Sequence, residues 1–162
     1  MDSDEFVAGF DYPMFVVTAV DSGTGTRGGC LVGFATQTSI DPFRFLVCLS
    51  RRNHTYRVAE GATVLAVHVL GRDEDQQRLA ALFGTRTGDE IDKFDRCSWR
   101  PGPEGVPLLT GARRRLVGRI LERADLGDHA GFLLAPLSVT AGAETVPLSF
   151  RSLPALDPGH RA

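Results

Sequence analysis

The sequence predicts a mainly β fold, a β-barrel with short helical inserts, and three observations predict it. Runs rich in β-branched and aromatic residues recur about seven times along the chain. The helical segments between them are few and short, and they do not alternate regularly with strands, which argues against a parallel doubly wound sheet. No internal repeat or low-complexity stretch interrupts the pattern, so an antiparallel barrel fits best.

The elements follow in order. Met14 to Val20 is the first strand, and Cys30 to Thr36 the second, joined across a loop of Asp, Ser, Thr and Gly from Asp21 to Gly29. Asp41-Pro42 breaks the chain, and Phe43 to Leu49 is a third strand, apolar enough to be buried on both faces. Asn53 is a suitable N-cap for a short helix that Gly61 closes. Thr63 to Leu70 is a fourth strand. Asp73 to Phe83 spaces Leu79, Leu82 and Phe83 as an amphipathic helix ended by Gly84. Residues 85 to 107 read as irregular, with a helical turn around Glu90 to Phe94. Strands are expected again over Ala112 to Glu122, Gly131 to Val139 and residues 145 to 151.

The chain has 162 residues, of which 43% are hydrophobic. That suits one domain over residues 1–155, with 156–162 as a tail. Its 18 basic and 20 acidic residues leave a formal charge of −2, with no basic excess to hold a nucleic-acid backbone. Cys30, Cys48 and Cys97 form no CxxC spacing, which argues against zinc and against a disulfide framework and fits a reducing cytoplasm. The acidic start, Met1 to Phe6, does not read as a signal peptide. No apolar run approaches the roughly 18 residues a membrane helix needs. His54, His68 and His160 lack metal-ligand spacing, and His68 on a strand reads as packed or partly exposed.

Gly23-Thr24-Gly25-Thr26-Arg27-Gly28 matches G-x-G-x-x-G. That fingerprint works when a helix starts at the glycines and points its N-terminus at a pyrophosphate. Here the following residues, Cys30 to Phe34, are strand-like, so the segment is expected to be a hairpin tip.

The stretch Gly29-Cys30-Leu31-Val32-Gly33-Phe34-Ala35-Thr36-Gln37-Thr38-Ser39-Ile40-Asp41-Pro42 resembles the flavin-reductase-like family of FMN-binding split barrels. The apolar strand Phe45 to Ser50 is similar to the family's next strand. Arg51-Arg52-Asn53-His54-Thr55 resembles its polar segment ending in Thr at a helix start, Lys93-Phe94 its Lys/Arg-Phe pair, and Gly127-Asp128-His129 its Gly-Asp-His motif. These pieces keep their order over roughly residues 13 to 139. Two positions depart from the pattern. Gly33-Phe34 stands where an Asn-Ser pair is common, and Leu134 where a small residue is.

The resemblance implies a homodimeric split barrel that transfers hydride from NADH or NADPH to FMN, with a possible partner monooxygenase. A flavin carries its own redox chemistry, so the protein's task is grip and alignment. Ala35, Thr36, Gln37, Thr38 and Ser39 offer hydroxyls, an amide and backbone N–H groups to the flavin, while small Gly33 and Ala35 let a ring approach and Phe34 keeps backbone groups toward it. Without the resemblance the same stretch reads as a polar strand end. Arg51, Arg52, Asn53 and Thr55 are implied at the flavin phosphate, or else are two solvated arginines and a cap. Asp128 and His129 are implied to position the nicotinamide or the flavin, with Asp128 fixing the imidazole tautomer, or else form a surface turn. Lys93 and Phe94 are implied at the edge of the site, or else form an amphipathic turn. Arg113-Arg114-Arg115 reads as a solvated edge or dimer contact, with a pyridine-nucleotide phosphate contact as the other reading. Two alternatives stay open: a non-catalytic flavin carrier, and a split barrel using deazaflavin or haem.

Overall fold

The computed structural model describes residues 2–85, 92–142 and 146–153. The chain is mainly β. A seven-stranded antiparallel sheet has the order β2-β1-β5-β8-β9-β4-β3, with a separate two-stranded ribbon of β6 and β7. The strands are β1 (Phe15–Val20), β2 (Arg27–Val32), β3 (Ala35–Ser39), β4 (Arg44–Ser50), β5 (Val64–Val69), β6 (Trp99–Pro101), β7 (Pro107–Leu109), β8 (Arg115–Asp125) and β9 (His129–Thr140). Among the described residues three α-helices accompany them: α1 (Ser3–Val7), α2 (His54–Glu60) and α3 (Glu74–Thr85). No helix among the described residues is long and apolar enough to cross a membrane.

β1 shows why the core forms where it does. It pairs with β2 on one side and β5 on the other, and both its faces are covered. Phe15, Val17 and Ala19 join Val47, Leu49, Leu65, Val67, Phe132 and Leu134 in the main core, which helix α2 closes with Val58 and Ala59. Val16 points the other way, into a second cluster with Phe83, Phe94, Leu109 and Leu148. Strict alternation of side chains along a strand sends neighbours to opposite faces, so a largely apolar, β-branched run suits this doubly covered position. Thr18 is the one polar residue of the run, and its hydroxyl donates to Pro107 O at 2.6 Å.

Local signals set the helices. Asn53 caps α2 by accepting from Thr55 N–H at 3.0 Å, and Gly61 stands at the C-cap. The hairpin tip between β1 and β2 is held by Asp21, whose carboxylate accepts from Gly23 and Thr24 N–H groups, and Gly25 takes a φ of +76° there. The glycine pattern is therefore a turn, with β2 and not a helix after it.

Several boundaries differ from the sequence expectations. Cys30 to Thr36 is not one strand: the chain leaves β2 at Val32 and enters β3 at Ala35. Gly33 lies so close to Tyr12 that a Cβ there would meet its ring at 2.5 Å. The strand after Asp41-Pro42 is not buried on both faces, since only Val47 and Leu49 are buried and the rest alternate as half-exposed. Its neighbour β3 is the edge of the sheet. Helix α3 runs through Gly84 to Thr85, because Ala80 and Phe83 already fix its buried face.

The stretch expected to be irregular holds the β6–β7 ribbon and a 3₁₀ turn at Lys93–Asp95, capped by Asp92. Glu90 and Ile91 of the expected turn lie outside the described residues. Strands β8 and β9 form one long hairpin of 11 and 12 residues, starting three residues later and two earlier than the sequence suggests. Of the expected strand at 145–151, residues 146–151 contain two isolated bridges, Gly71 to Pro147 and Pro13 to Ser149, and the start of a 3₁₀ turn at Phe150–Ser152. Residue 145 and the expected tail at 156–162 lie outside the described residues. Helix α1 has no counterpart in the sequence reading; it starts at an Asp2 cap.

Candidate functional site

The β8–β9 turn carries Gly127, Asp128 and His129, with Gly127 at φ +119°, a backbone conformation that glycine adopts without a Cβ clash. His129 opens β9 and pairs with Ser50, the last residue of β4. The neighbouring strand β3 pairs with β4 through Ala35 and Val47, and Phe34 O accepts from Cys48 N–H at 2.9 Å. One strand, β4, thus holds the turn on one side and the Ala35–Ser39 segment on the other.

His129 is partly buried, with 18% of its side chain exposed, and its Nδ1 lies 2.8 Å from Asp128 Oδ1. An ionised carboxylate only accepts, so Nδ1 carries the hydrogen and Nε2 is left for another partner. The imidazole in turn holds the Asp128 carboxyl below its usual range, with its hydrogen bond as the leading cause. The His129 ring meets Phe34 with centroids 5.0 Å apart. Phe34 faces Tyr12 at 6.2 Å, and Tyr12 stacks on Phe150 at 4.9 Å. Phe34 is 55% exposed, so this row of rings reaches the surface beside the edge strand.

β3 is the last strand of the sheet, so one side of its backbone pairs with β4 and no strand among the described residues covers the other. Thr36, Gln37 and Thr38 are exposed, while Gly33, Ala35 and Ser39 are half-buried. Gln37 Nε2 donates to Ser39 O at 3.1 Å, and the Thr36 hydroxyl to Gln37 O at 3.3 Å. Residues 37–41 line a shallow cavity of about 700 Å³.

The two arginines after β4 have different surroundings. Arg51 Nε donates to Gly127 O at 3.1 Å, Nη1 to the Tyr56 hydroxyl at 3.1 Å and Nη2 to Asp125 Oδ1 at 2.6 Å. Its fork is directed at the β8–β9 turn. Arg52 is exposed, and its charge helps to lower Asp128. Asn53 is spent on the α2 cap. Thr55 is fully buried, and among the described residues its hydroxyl has no nitrogen or oxygen partner.

Lys93 and Phe94 are buried. Lys93 Nζ donates to Gly29 O at 3.2 Å and Phe83 O at 3.0 Å, and burial pushes its pKa down. With Arg27, His54, Asp92 and the hairpin glycines they line a cavity of about 320 Å³ at the start of β2. Sequence reasoning missed Tyr12, Tyr56, Asp125 and Phe150 around these residues. Tyr12 and Phe150 lie 138 positions apart in the chain, and only the fold stacks them. Of the three consecutive arginines only Arg115 is in a strand; Arg113 and Arg114 precede it and are exposed.

Residues 7–152 match the model of the family described as flavin reductase like domain. A protein of Archaeoglobus fulgidus named ferric-chelate reductase (NAD(P)H) is 27% identical over 134 residues, covering 82% of this chain and 77% of its own length. The 4-hydroxyphenylacetate 3-monooxygenase reductase component of Salmonella typhimurium is 30% identical over 114 residues, covering 68% of this chain and 66% of its own. Among solved structures, a flavin reductase domain protein from Arthrobacter superposes with a TM-score of 0.80 at 26% identity, covering 94% of this chain and 91% of that one.

Proposed function

The chain belongs to the family of flavin reductase like domains, and from that premise we propose that it transfers hydride from NADH or NADPH to FMN and hands reduced flavin to a partner monooxygenase. The observation that carries this reading is the meeting of Phe34, at the head of the edge strand, with the Asp128–His129 pair. It puts a tautomer-fixed imidazole beside a strand with free backbone donors and acceptors.

A flavin fits the residues present. Its pyrimidine edge needs alternating donors and acceptors, which the unpaired side of β3 supplies, and its ribityl chain needs the hydroxyl and amide groups of Thr36, Gln37, Thr38 and Ser39. Gly33 and Ala35 present little bulk to a ring. When bound, the flavin supplies the hydride-accepting chemistry. The chain's own residues then bind and align. Arg52, at the end of β4, takes the phosphate; Phe34 covers the imidazole face; and His129 Nε2 accepts from the nicotinamide carboxamide, which fixes the hydride donor over the site. Lys93 and Phe94 wall the neighbouring cavity. We further read residues 1–155 as one split-barrel domain of a cytoplasmic homodimer. Apolar residues exposed around the site, among them Ile40, Phe34 and Phe150, are the surface a second copy would cover.

The test is NADH and NADPH consumption by the purified protein with FMN, with FAD and with neither, against a no-protein control. Flavin-dependent consumption above the control is expected, and FMN should be the better acceptor. Flavin binding without consumption would replace the reductase reading with a carrier.

A further inference from the structure

Arg51 stands in a polar segment where a phosphate ligand is expected, yet its fork is already occupied. Its guanidinium reaches Gly127 O, Asp125 Oδ1 and the Tyr56 hydroxyl, and its backbone N–H donates to Asp128 O at 3.0 Å. The turn is thus grasped on both flanks of Gly127, at Asp125 and at Asp128, by the residue that follows the adjoining strand β4. The guanidinium also lies over the Tyr56 ring at 5.5 Å, and Tyr56 packs edge-on against core Phe132. The far end of the clamp is therefore anchored in the main core. Three of the five N–H donors of Arg51 are thereby spent within the fold, one of them on a carboxylate 2.6 Å away.

We infer that Arg51 is a positioning residue: bridging Tyr56, Gly127 and Asp125, it fixes the β8–β9 turn and so the place of His129 beside Phe34. The inference rests on the proposed role of His129 toward the nicotinamide. Gly127 gives the turn a backbone with little steric restraint of its own, and the hairpin tip from Ala124 to Asp128 is exposed. Turn geometry there depends on external holds, and a planar fork with several fixed donors restrains it better than one point charge. Removing it displaces the imidazole without touching flavin contacts.

The experiment compares R51A, R51K and H129A in the full chain, reading KM and kcat for NADH with FMN and the FMN Kd from fluorescence quenching. R51A should raise the NADH KM roughly ten-fold, the scale on which small misplacements act, with the FMN Kd within about two-fold. R51K keeps the charge but cannot span Gly127 and Asp125, so it should recover only part of the loss. Full recovery by R51K, or weakened FMN binding with an unchanged KM, would overturn the inference and return Arg51 to the phosphate. In an H129A background R51A should add nothing further to KM; an additive loss also overturns it. Hydrogen exchange at amides 126–129 separates this inference from the reading of His129. If H129A alone leaves KM unchanged, the nicotinamide role of His129 fails; faster exchange in R51A would then still establish the clamp, and unchanged exchange would sink it.

Discussion

Two histidines in this molecule show how surroundings decide what one side chain is for. His68, on β5, is fully buried, and both ring nitrogens are engaged: Leu109 N–H donates to Nε2 and Nδ1 lies against Val16 O, each at 3.0 Å. Because Nε2 accepts, the ring is neutral with its hydrogen on Nδ1, and burial pushes its pKa down to about 4. It ties β1, β5 and β7 together. His129 has one nitrogen on a carboxylate, its ring tilted against an exposed phenylalanine and one nitrogen uncommitted among the described residues. A ring with every polar atom satisfied inside the fold is structural, while one left partly unsatisfied at a sheet edge can act on a ligand.

The comparison breaks most visibly at His68. Replacing it with Leu leaves Leu109 N–H buried without its partner, which costs about 1–3 kcal/mol. Denaturant unfolding should therefore show a loss of about 1–3 kcal/mol, while turnover per folded molecule stays near wild type. A ring charged only in the unfolded chain also makes stability depend on pH. Its folded pKa lies below the unfolded value, so the unfolded chain binds more protons between pH 6.5 and about 4, and stability falls as pH drops through that window. At about 1.4 kcal/mol per pH unit the loss is bounded at roughly 3 kcal/mol. Unfolding curves at pH 7.5 and 4.5 should show this slope in the wild type and lack it in H68L.

That contrast was only half legible beforehand. The β-branched apolar run of Thr63 to Leu70 marks a strand, and Asn53 and Gly61 mark helix α2, because strand composition and caps are local features. What holds His68 is not local: its partners are backbone groups 52 and 41 positions away, which leave no trace in residue identity. The same holds for Arg51 and Asp125, separated by 74 positions. The break at Gly33-Phe34 was missed because Tyr12, which crowds Gly33, comes from a distant stretch of chain. The site motifs were visible as residue types, but which arginine grips the turn and which faces solvent is set by tertiary geometry alone.

Lys93 sharpens the comparison with a smaller effect. Its ammonium is sealed beneath Phe83 and satisfies two carbonyls, like His68, yet it lines a cavity, like a site residue. Lys93→Met keeps much of the aliphatic packing and removes a charge whose burial is itself costly, so the net loss should be about 1–2 kcal/mol. Flavin titration of the same variant decides between its two aspects. An FMN Kd within about two-fold of wild type would make Lys93 a latch between β2 and α3; a larger weakening would extend the flavin site into that cavity.

Asp128 should give the smallest change in stability and the sharpest separation between region and role. Its side chain is 74% exposed and its hydrogen bond to His129 is at the surface, so Asp128→Asn should leave unfolding within about 0.5 kcal/mol of wild type. The amide can offer either an oxygen or an N–H to Nδ1, so the tautomer is no longer dictated and Nε2 is no longer held as an acceptor. The NADH KM should then rise several-fold, by roughly the worth of one oriented hydrogen bond, with kcat at saturating NADH changed less. His68 cannot be uncoupled from stability in this way. If Asp128→Asn unfolds the protein as readily as it raises KM, the turn is a structural element like β5, and the distinction between the two histidines fails.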